Sequence, residues 1–177
     1  EYIETYVAAF KAGFAPVNTN FRYTAEELLY LWDNADAEAI VFHAVFTPHV
    51  EALRDKLGKV KRYYVVPDGH PEPDWAVNYE AVVAGGDDRV LAPWGRSGDD
   101  LLLLYTGGTT GMPKGVMWRN GDAMVECFGG SKTATSIEEF VAEANTGLRA
   151  LLAPPFMHGA GHWMSFRTWL GGGTVFV

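Results

Sequence analysis

One segment constrains the fold more than any other: a continuous apolar run of strand length that ends abruptly in glycine. The run Leu101–Tyr105 is followed directly by the stretch TGGTTGMPKG, which occupies residues 106–115. An apolar run of this length predicts a buried strand, and the glycines after it predict a tight turn. An extended pattern resumes at 116–118. The sequence therefore predicts a strand that feeds a glycine-rich loop, exposed or poorly ordered when no ligand is bound.

Strand and helix patterns alternate along most of the chain. The segments with helical periodicity or helix-capping residues are 1–12, 25–34, 47–57, 79–84, 137–144 and 161–170. The short segments of strand type are 15–18, 39–42, 62–66, 151–153 and 174–177. The best-marked helix start is Thr24, with Glu27 three residues later as in a capping box. This alternation favours an α/β fold with a mostly parallel sheet flanked by helices.

Composition and charge exclude several classes of protein. Of the 177 residues, 48% are hydrophobic and 20% are charged, as is typical of a globular domain with one core. The formal net charge of −8, without any run of Lys or Arg, argues against a nucleic-acid partner. No apolar stretch approaches the ~18 residues that a membrane span needs. Cys127 is the single cysteine, which excludes an internal disulfide and fits a cytoplasmic location.

The glycine-rich stretch 106–115 has the composition of a phosphate-binding loop. Its glycines let backbone amides converge on one point, its threonines add hydroxyl donors, and Lys114 adds a positive charge. The common NTPase loop needs Gly before the Lys and Ser or Thr after it, whereas Lys114 lies between Pro113 and Gly115. An ordinary tight turn is the structural alternative. The composition therefore predicts a polyphosphate site without naming a class of enzyme.

A second segment with chemically useful residues begins at Pro154 and contains His158 and His162. The spacing of the histidines matches a helical zinc motif, but Gly159 stands where that motif has its catalytic Glu, and the glycines between the histidines oppose a helix. We therefore predict no metal site. The segment is not a dinucleotide fingerprint either, because Met164 occupies the position of the third glycine. An imidazole at His158 can instead donate a hydrogen bond to a carboxylate or phosphoryl oxygen.

The spelling of the loop is more specific than its composition. The sequence LLYTGGTTGMPKGV resembles the AMP-binding signature of the adenylate-forming superfamily, which includes acyl-CoA synthetases, luciferases and the adenylation domains of peptide synthetases. Every position from Leu103 to Lys114 fits, although Gly107 replaces a Ser that many members carry. The segments AAFKAGFAPVNTNFRYTAEELLYLWDNADAEAIVF (8–42) and PPFMHGAGH (154–162) are similar to other parts of the same family. The Gly variant followed by MPKGVMWR looks most like bacterial fatty-acid and steroid-side-chain CoA synthetases.

This resemblance implies a two-step reaction. A carboxylate attacks the α-phosphate of ATP to give acyl-AMP and pyrophosphate, and the thiol of coenzyme A then displaces AMP to give a thioester. The residues implied to contact the phosphates are Thr106, Gly107, Gly108, Thr109, Thr110, Gly111 and Lys114. Catalytic roles are implied for Lys114, which would stabilise pyrophosphate, and for His158, which would place the carboxylate. Mg²⁺ is expected to accompany ATP, without an identifiable ligand in this chain.

The acid implied by the resemblance is a fatty acid or a steroid side chain. The residues expected to line its pocket are His158, Gly159, Ala160 and Gly161. The last three are small, so they would leave room for an acyl group.

The chain is expected to be a fragment, with residues 1–177 forming part of the large N-terminal AMP-binding domain of such an enzyme. Glu1 is not an initiator Met, and a strand pattern runs to the last residue. In the family, a ribose-binding acid, a hinge and a small mobile C-terminal domain follow this stretch. Residues 1–177 alone are therefore expected to bind ATP weakly without turnover. Two other interpretations stay open: a non-catalytic ATP- or acyl-binding module, and a structural α/β domain with a coincidental turn.

Overall fold

Helices and strands alternate along the chain, as the hydrophobic patterns predict. The computed structural model describes residues 1–87, 92–107, 111–144 and 147–176. The helices found there are α1 (Tyr2–Ala12), α2 (Ala25–Asn34), α3 (Thr47–Arg54), α4 (Tyr79–Gly85), α5 (Asn120–Glu126), α6 (Ile137–Glu143) and α7 (Gly159–Leu170). The strands are β1 (Ala39–His43), β2 (Arg62–Val66), β3 (Val77–Asn78), β4 (Leu101–Thr106), β5 (Lys114–Arg119), β6 (Arg149–Leu151) and β7 (Thr174–Phe176).

Capping residues determine where the early helices begin and end. The Thr24 hydroxyl accepts a hydrogen bond from the Glu27 amide at 3.3 Å, and the Glu27 carboxylate accepts one from the Thr24 amide at 2.8 Å. The predicted capping box is therefore confirmed. Gly13 ends α1 with a φ of 73°, a left-handed conformation that glycine adopts without a steric penalty. Pro48 lies in the first turn of α3, where its missing amide proton has no helical partner to lose.

The described strands form three small sheets. Strands β1, β2 and β3 pair in parallel, as do β6 and β7, so the predicted α/β fold with parallel strands and flanking helices is confirmed. Strands β4 and β5 pair antiparallel instead. The reason is the short connection between them, because a parallel crossover needs about a dozen residues or more. The predicted 15–18 strand is reduced to one parallel bridge between Val17 and Leu103.

Several predicted boundaries differ from those in the structure. Helix α7 begins at Gly159 rather than at 161, so the expectation that glycines would keep the segment between the histidines from being helical was wrong. Helix α3 ends at Arg54 instead of 57. Strand β6 ends at Leu151, where the expected strand began, because its register is set by pairing with β7. Helix α5 was not predicted, since its sequence NGDAMVE opens with weak helix formers.

Buried side chains gather into two hydrophobic clusters among the described residues. The first covers β1 and β2 with side chains from α2 and α3, and it includes Tyr105. The second lies beneath α1, α5 and α7 and includes Leu102. Strand β4 thus contributes to both clusters. Its residues Leu102, Leu104 and Tyr105 are all buried, which confirms the predicted interior strand.

His162 lies on α7, packs against the second cluster and is fully buried. Its ring stands edge-on to Tyr6 at 4.3 Å and to Phe166 at 4.9 Å between ring centroids. Within the described part of the chain, neither ring nitrogen has a hydrogen-bond partner. Burial without a partner disfavours the charged form and lowers the pKa of His162 to about 4. The imidazole is therefore neutral near pH 7 and acts as part of the core.

Replacing Leu102 with alanine in the full-length protein should lower its free energy of unfolding by about 2–5 kcal/mol, the usual range for emptying a buried leucine site. Leu101 is the matched control, because it is the neighbouring strand residue and is 37% exposed. Urea unfolding of wild type, Leu102→Ala and Leu101→Ala would measure the two losses. Equal losses in the two variants would contradict the interior position of β4.

The stability of the protein should fall as the pH drops from about 6.5 to about 4. Over that range His162 takes up a proton in the unfolded chain but not in the folded one, because its folded pKa is about 4. The total cost at the lower limit is about 3 kcal/mol, from roughly two and a half pKa units at 1.36 kcal/mol each. Urea unfolding at several pH values should show a shallower dependence for His162→Phe than for wild type. Identical dependence in both proteins would refute this assignment.

Candidate functional site

A cleft of about 290 Å³ opens where the end of β4 meets the segment that precedes α7. Three separate parts of the chain line it. The lining residues are Asn18, Asn20 and Tyr23, then Leu104, Tyr105, Thr106 and Gly107, and finally Met157, His158 and Gly159. The start of the glycine-rich loop and the histidine segment, which the sequence predicted separately as parts of one site, therefore share one cleft.

Asn18 connects the three parts through hydrogen bonds to backbone atoms. Its Nδ2 group donates to the carbonyl oxygens of Tyr105 at 3.1 Å and of Met157 at 2.9 Å. Its Oδ1 atom accepts from the Tyr105 amide at 2.7 Å. The side chain is only 3% exposed, so a buried polar group has found partners for both donor hydrogens and for its acceptor. These bonds define the distance between β4 and the histidine segment.

Tyr105 contacts both α2 and Gly115, at the end of the glycine-rich stretch. Its hydroxyl donates to Oδ1 of Asn34 at 2.7 Å, on α2. Its ring lies so close to Gly115 that a Cβ atom there would be 2.8 Å from Cζ of the ring. Glycine at 115 is therefore required by packing against Tyr105, in addition to any role in binding phosphate. This contact positions the start of β5 against the end of β4.

The glycine-rich loop leaves this cleft and returns through β5. Thr106 and Gly107 line the cleft, whereas the predicted phosphate contacts Gly108, Thr109 and Thr110 lie outside the described residues. Gly111 is exposed and has a φ of 93°, which a residue with a side chain rarely adopts. Lys114 is exposed, and it pairs with Thr106 in the register of the hairpin. The two ends of the loop thus lie next to each other, because Thr106 is the last residue of β4 and Lys114 is the first residue of β5.

His158 is the N-cap residue of α7, directly before the first helical turn. Its backbone amide donates to the Pro155 carbonyl at 3.0 Å, and its own carbonyl accepts from the His162 amide at 3.0 Å. These bonds hold the backbone while the side chain is exposed and lines the cleft. The imidazole is therefore available to a ligand, in contrast to that of His162.

The three small residues after His158 do not form one wall. Gly159 lines the cleft, and a Cβ atom there would approach a methyl group of Leu104 at 3.0 Å. Gly161 is buried, and a Cβ atom there would lie 2.5 Å from the Pro155 carbonyl oxygen and even closer to that of Pro154. Ala160 is exposed. The structure thus explains Gly161 by close packing, and an acyl-lining role for Ala160 and Gly161 stays a prediction.

The two tyrosines that line the cleft, Tyr23 and Tyr105, are held in their neutral forms. Burial, together with the nearby Glu27 carboxylate, raises the pKa of Tyr23 above its ordinary value. Burial also raises the pKa of Tyr105. Both phenols therefore keep their protons near pH 7 and add no negative charge. A cleft of amides, hydroxyls and neutral rings with Lys114 at the base of its loop can accept an anionic ligand.

The described residues contain no group of three or more His, Cys, Asp or Glu side chains arranged to hold a metal ion. In the same ranges, no helix combines the length and the apolar character needed to cross a membrane.

Sequence reasoning missed much of the lining, above all Asn18, Tyr23 and Tyr105. Asn18 and Asn20 were visible as two amides in the short segment before the Thr24 cap. Their partners were not visible, since Asn18 contacts residues 87 and 139 positions away. A buried asparagine needs partners, but nothing local says which backbone atoms provide them.

The sequence of this chain is similar to that of known enzymes. A family model described as AMP-binding enzyme matches residues 1–177. The medium-chain acyl-CoA ligase Mig of Mycobacterium avium is 39% identical over 184 residues, covering 99% of this chain and 33% of the relative. The 3-oxocholest-4-en-26-oate–CoA ligase of Rhodococcus rhodochrous is 35% identical, covering 100% of this chain and 34% of the relative. The chain thus spans about a third of the length of these relatives.

Solved structures show the same fold. ATP-bound MatB from Rhodopseudomonas palustris superposes with a TM-score of 0.71 at 23% identity, covering 97% of this chain and 32% of that one. An anthranilate CoA ligase in complex with anthranoyl-AMP gives a TM-score of 0.69 at 20% identity, covering 94% of this chain and 31% of the other. With the family model matched over every residue, the chain belongs to the family of AMP-binding, adenylate-forming enzymes.

Proposed function

We propose that this chain is part of an acyl-CoA synthetase, which activates a carboxylic acid with ATP and transfers the acyl group to coenzyme A. The observation that carries the proposal is the shared cleft, in which Thr106 and Gly107 of the glycine-rich loop lie with His158. One side would receive phosphate oxygens and the other a carboxylate. Residues 1–177 would form part of the N-terminal domain, and the C-terminal domain of the full-length protein would complete the site.

The size of the cleft suits the reacting groups rather than whole substrates. Small-molecule sites usually measure about 300–1,000 Å³, and this cleft lies at the lower limit of that range. It would hold the carboxylate and the phosphates, with the adenosine and the acyl chain extending beyond it. Residues 1–177 alone are accordingly not expected to catalyse the reaction.

In the first step, a carboxylate oxygen attacks the α-phosphorus of ATP and the bond to the β-phosphate breaks, so that pyrophosphate leaves with the negative charge. The chain's contribution is to position and neutralise this charge. The Thr106 hydroxyl would donate a hydrogen bond to the β- and γ-phosphates. The amides of the loop would donate to the same phosphates, and the residues that carry them are Gly107, Gly108, Thr109, Thr110 and Gly111. Lys114 would add its ammonium charge.

His158 would hold the attacking carboxylate. Its exposed imidazole lines the cleft, while its backbone is held by the Pro155 and His162 hydrogen bonds. A hydrogen bond from a ring nitrogen to one carboxylate oxygen leaves the other oxygen free to attack. Correct placement of reactants is among the largest contributions that an enzyme makes to the reaction rate. The proposed role of His158 is placement of the carboxylate, which involves no proton transfer.

Mg²⁺ would accompany ATP and neutralise phosphate charge. The described residues offer no cluster of acidic or histidine ligands for it, so the proposal assigns it to the phosphates and names no protein ligand. In the second step the thiol of coenzyme A would displace AMP from the acyl-AMP. A cytoplasmic location is proposed because ATP and coenzyme A are both available there.

The proposed acid is hydrophobic, either a fatty acid or a steroid side chain. The matched relatives are named as a medium-chain acyl-CoA ligase and a 3-oxocholest-4-en-26-oate–CoA ligase. The test is carboxylate-dependent exchange of labelled pyrophosphate into ATP by the full-length protein, with a panel of fatty, aromatic and steroid-side-chain acids. Exchange with a hydrophobic acid supports the proposal. Absence of exchange with every acid, together with measurable ATP binding, would favour a non-catalytic binding module.

Lys114→Ala in the full-length protein should slow adenylation by roughly tenfold to a hundredfold, because one charge-assisted hydrogen bond contributes about 1.5–3 kcal/mol. Thioester formation from supplied acyl-AMP should change less. Lys61→Ala is a matched control, since Lys61 is exposed and forms a salt bridge with Glu38 at 2.9 Å, just before the strands β2 and β1. Equal losses in both half-reactions with an intact fold would refute the role of Lys114.

His158→Ala should lower kcat/KM for the acid by roughly tenfold or more, since a hydrogen bond to a charged group contributes about 1.5–3 kcal/mol. Pyrophosphate exchange at varied acid concentration would measure this. The exposed His49 on α3 is the control, and His49→Ala should match wild type. An unchanged kcat/KM in His158→Ala would remove the carboxylate contact from the proposal.

A further inference from the structure

We propose that Asn18 is the positioning residue of this site, holding the glycine-rich loop and the histidine segment at the separation that the reaction needs. The proposal rests on the function proposed above. Asn18 is not part of the glycine-rich loop or of the histidine segment, and its side chain is almost completely buried. It would act through the residues that it holds.

The contacts of Asn18 are divided between the two halves of the cleft. Two of its bonds go to Tyr105, next to Thr106 at the start of the loop. The third goes to the Met157 carbonyl, next to His158. One side-chain amide therefore joins the backbone on the phosphate side to the backbone on the carboxylate side. These two stretches are about 50 residues apart in sequence and come from different elements.

The chemistry of the bridge requires an amide. Two carbonyl oxygens each need a donor and one amide N–H needs an acceptor, and the asparagine side chain supplies both kinds of group within one plane. Leucine of similar size supplies neither. A carboxylate keeps the acceptor but turns a second oxygen toward two carbonyl oxygens, which repel it. Asn18→Asp is thus a nearly isosteric change that breaks the bridge.

The backbone around Asn18 is itself anchored to β4. The Leu103 amide donates to the Pro16 carbonyl at 3.0 Å, and Val17 forms a parallel bridge with Leu103. The backbone that carries the Asn18 side chain is therefore held in place against β4. On the loop side, its hold on Tyr105 reaches Lys114 through the hairpin, where Thr106 pairs with Lys114.

Small displacements matter in such a site, since a shift of about 1 Å can cost a hundredfold in rate. We therefore expect Asn18→Asp to reduce pyrophosphate exchange by roughly tenfold to a hundredfold per folded molecule. Asn34→Asp is the matched control. The Oδ1 atom of Asn34 accepts a hydrogen bond from the Tyr105 hydroxyl, and a carboxylate oxygen can accept the same bond. Asn34 does not line the cleft. It should exchange within twofold of wild type. Exchange by Asn18→Asp within twofold of wild type would overturn the proposal.

A purely structural role is separated from positioning by a double-mutant cycle with Lys114→Ala. If Asn18 positions the loop, Lys114 contributes less once the bridge is broken, and the double variant loses less than the product of the two single losses. Losses that multiply would overturn the proposal. Activity is normalised to the folded fraction, measured by circular dichroism.

Hydrogen exchange measured by mass spectrometry tests the bridge without using activity. In Asn18→Asp, backbone amides in 103–107 and in 155–160 should both exchange faster than in wild type, whereas Asn34→Asp should leave 155–160 unchanged. Faster exchange in only one stretch, or in neither, would overturn the proposal. If wild type shows no pyrophosphate exchange with any acid, the proposed function fails. The hydrogen exchange rates of the amides in these two stretches still decide whether Asn18 bridges them.

Discussion

The burial of β4 between two hydrophobic clusters is the constraint on which the site depends. Leu102 is fully enclosed by the cluster under α7, and Tyr105 belongs to the cluster around β1 and β2. A strand with side chains in both clusters cannot shift without opening a gap in one of the two clusters, because protein interiors are close-packed. The glycine-rich loop thus begins from a rigid point.

The cleft combines polar groups with tyrosines that stay neutral. Its tyrosines stay protonated because burial raises the pKa of Tyr23 and Tyr105. His162, one helical turn beyond His158, stays neutral because it is enclosed by aromatic rings. Two histidines four residues apart in sequence thus lie in different surroundings, one at the cleft and the other in the core. Exposure makes the difference, since only the His158 side chain faces the cleft.

Sequence patterns predicted most elements, and their errors have particular causes. The capping box at Thr24 and the strand β4 were predicted because their signals lie within a few residues. Helix α7 was predicted two residues too late, since glycine disfavours helix on its own. In the folded chain Gly161 is needed, because the carbonyls of Pro154 and Pro155 leave no room for a side chain. The antiparallel pairing of β4 and β5 follows from their short connection.

The sequence by itself determined the family, because the exact order of residues in the loop and histidine segments resembles the family's signatures and can be recognised without the folded structure. It also determined where α2, α4 and α6 start, through local hydrogen bonds between a capping side chain and the first turn. Only the tertiary structure decided that Thr106, Gly107 and His158 share a cleft, that His162 is core, and that Asn18 joins the two halves. The physical reason is distance along the chain: the partners of Asn18 lie 87 and 139 residues away, and no local pattern encodes such contacts.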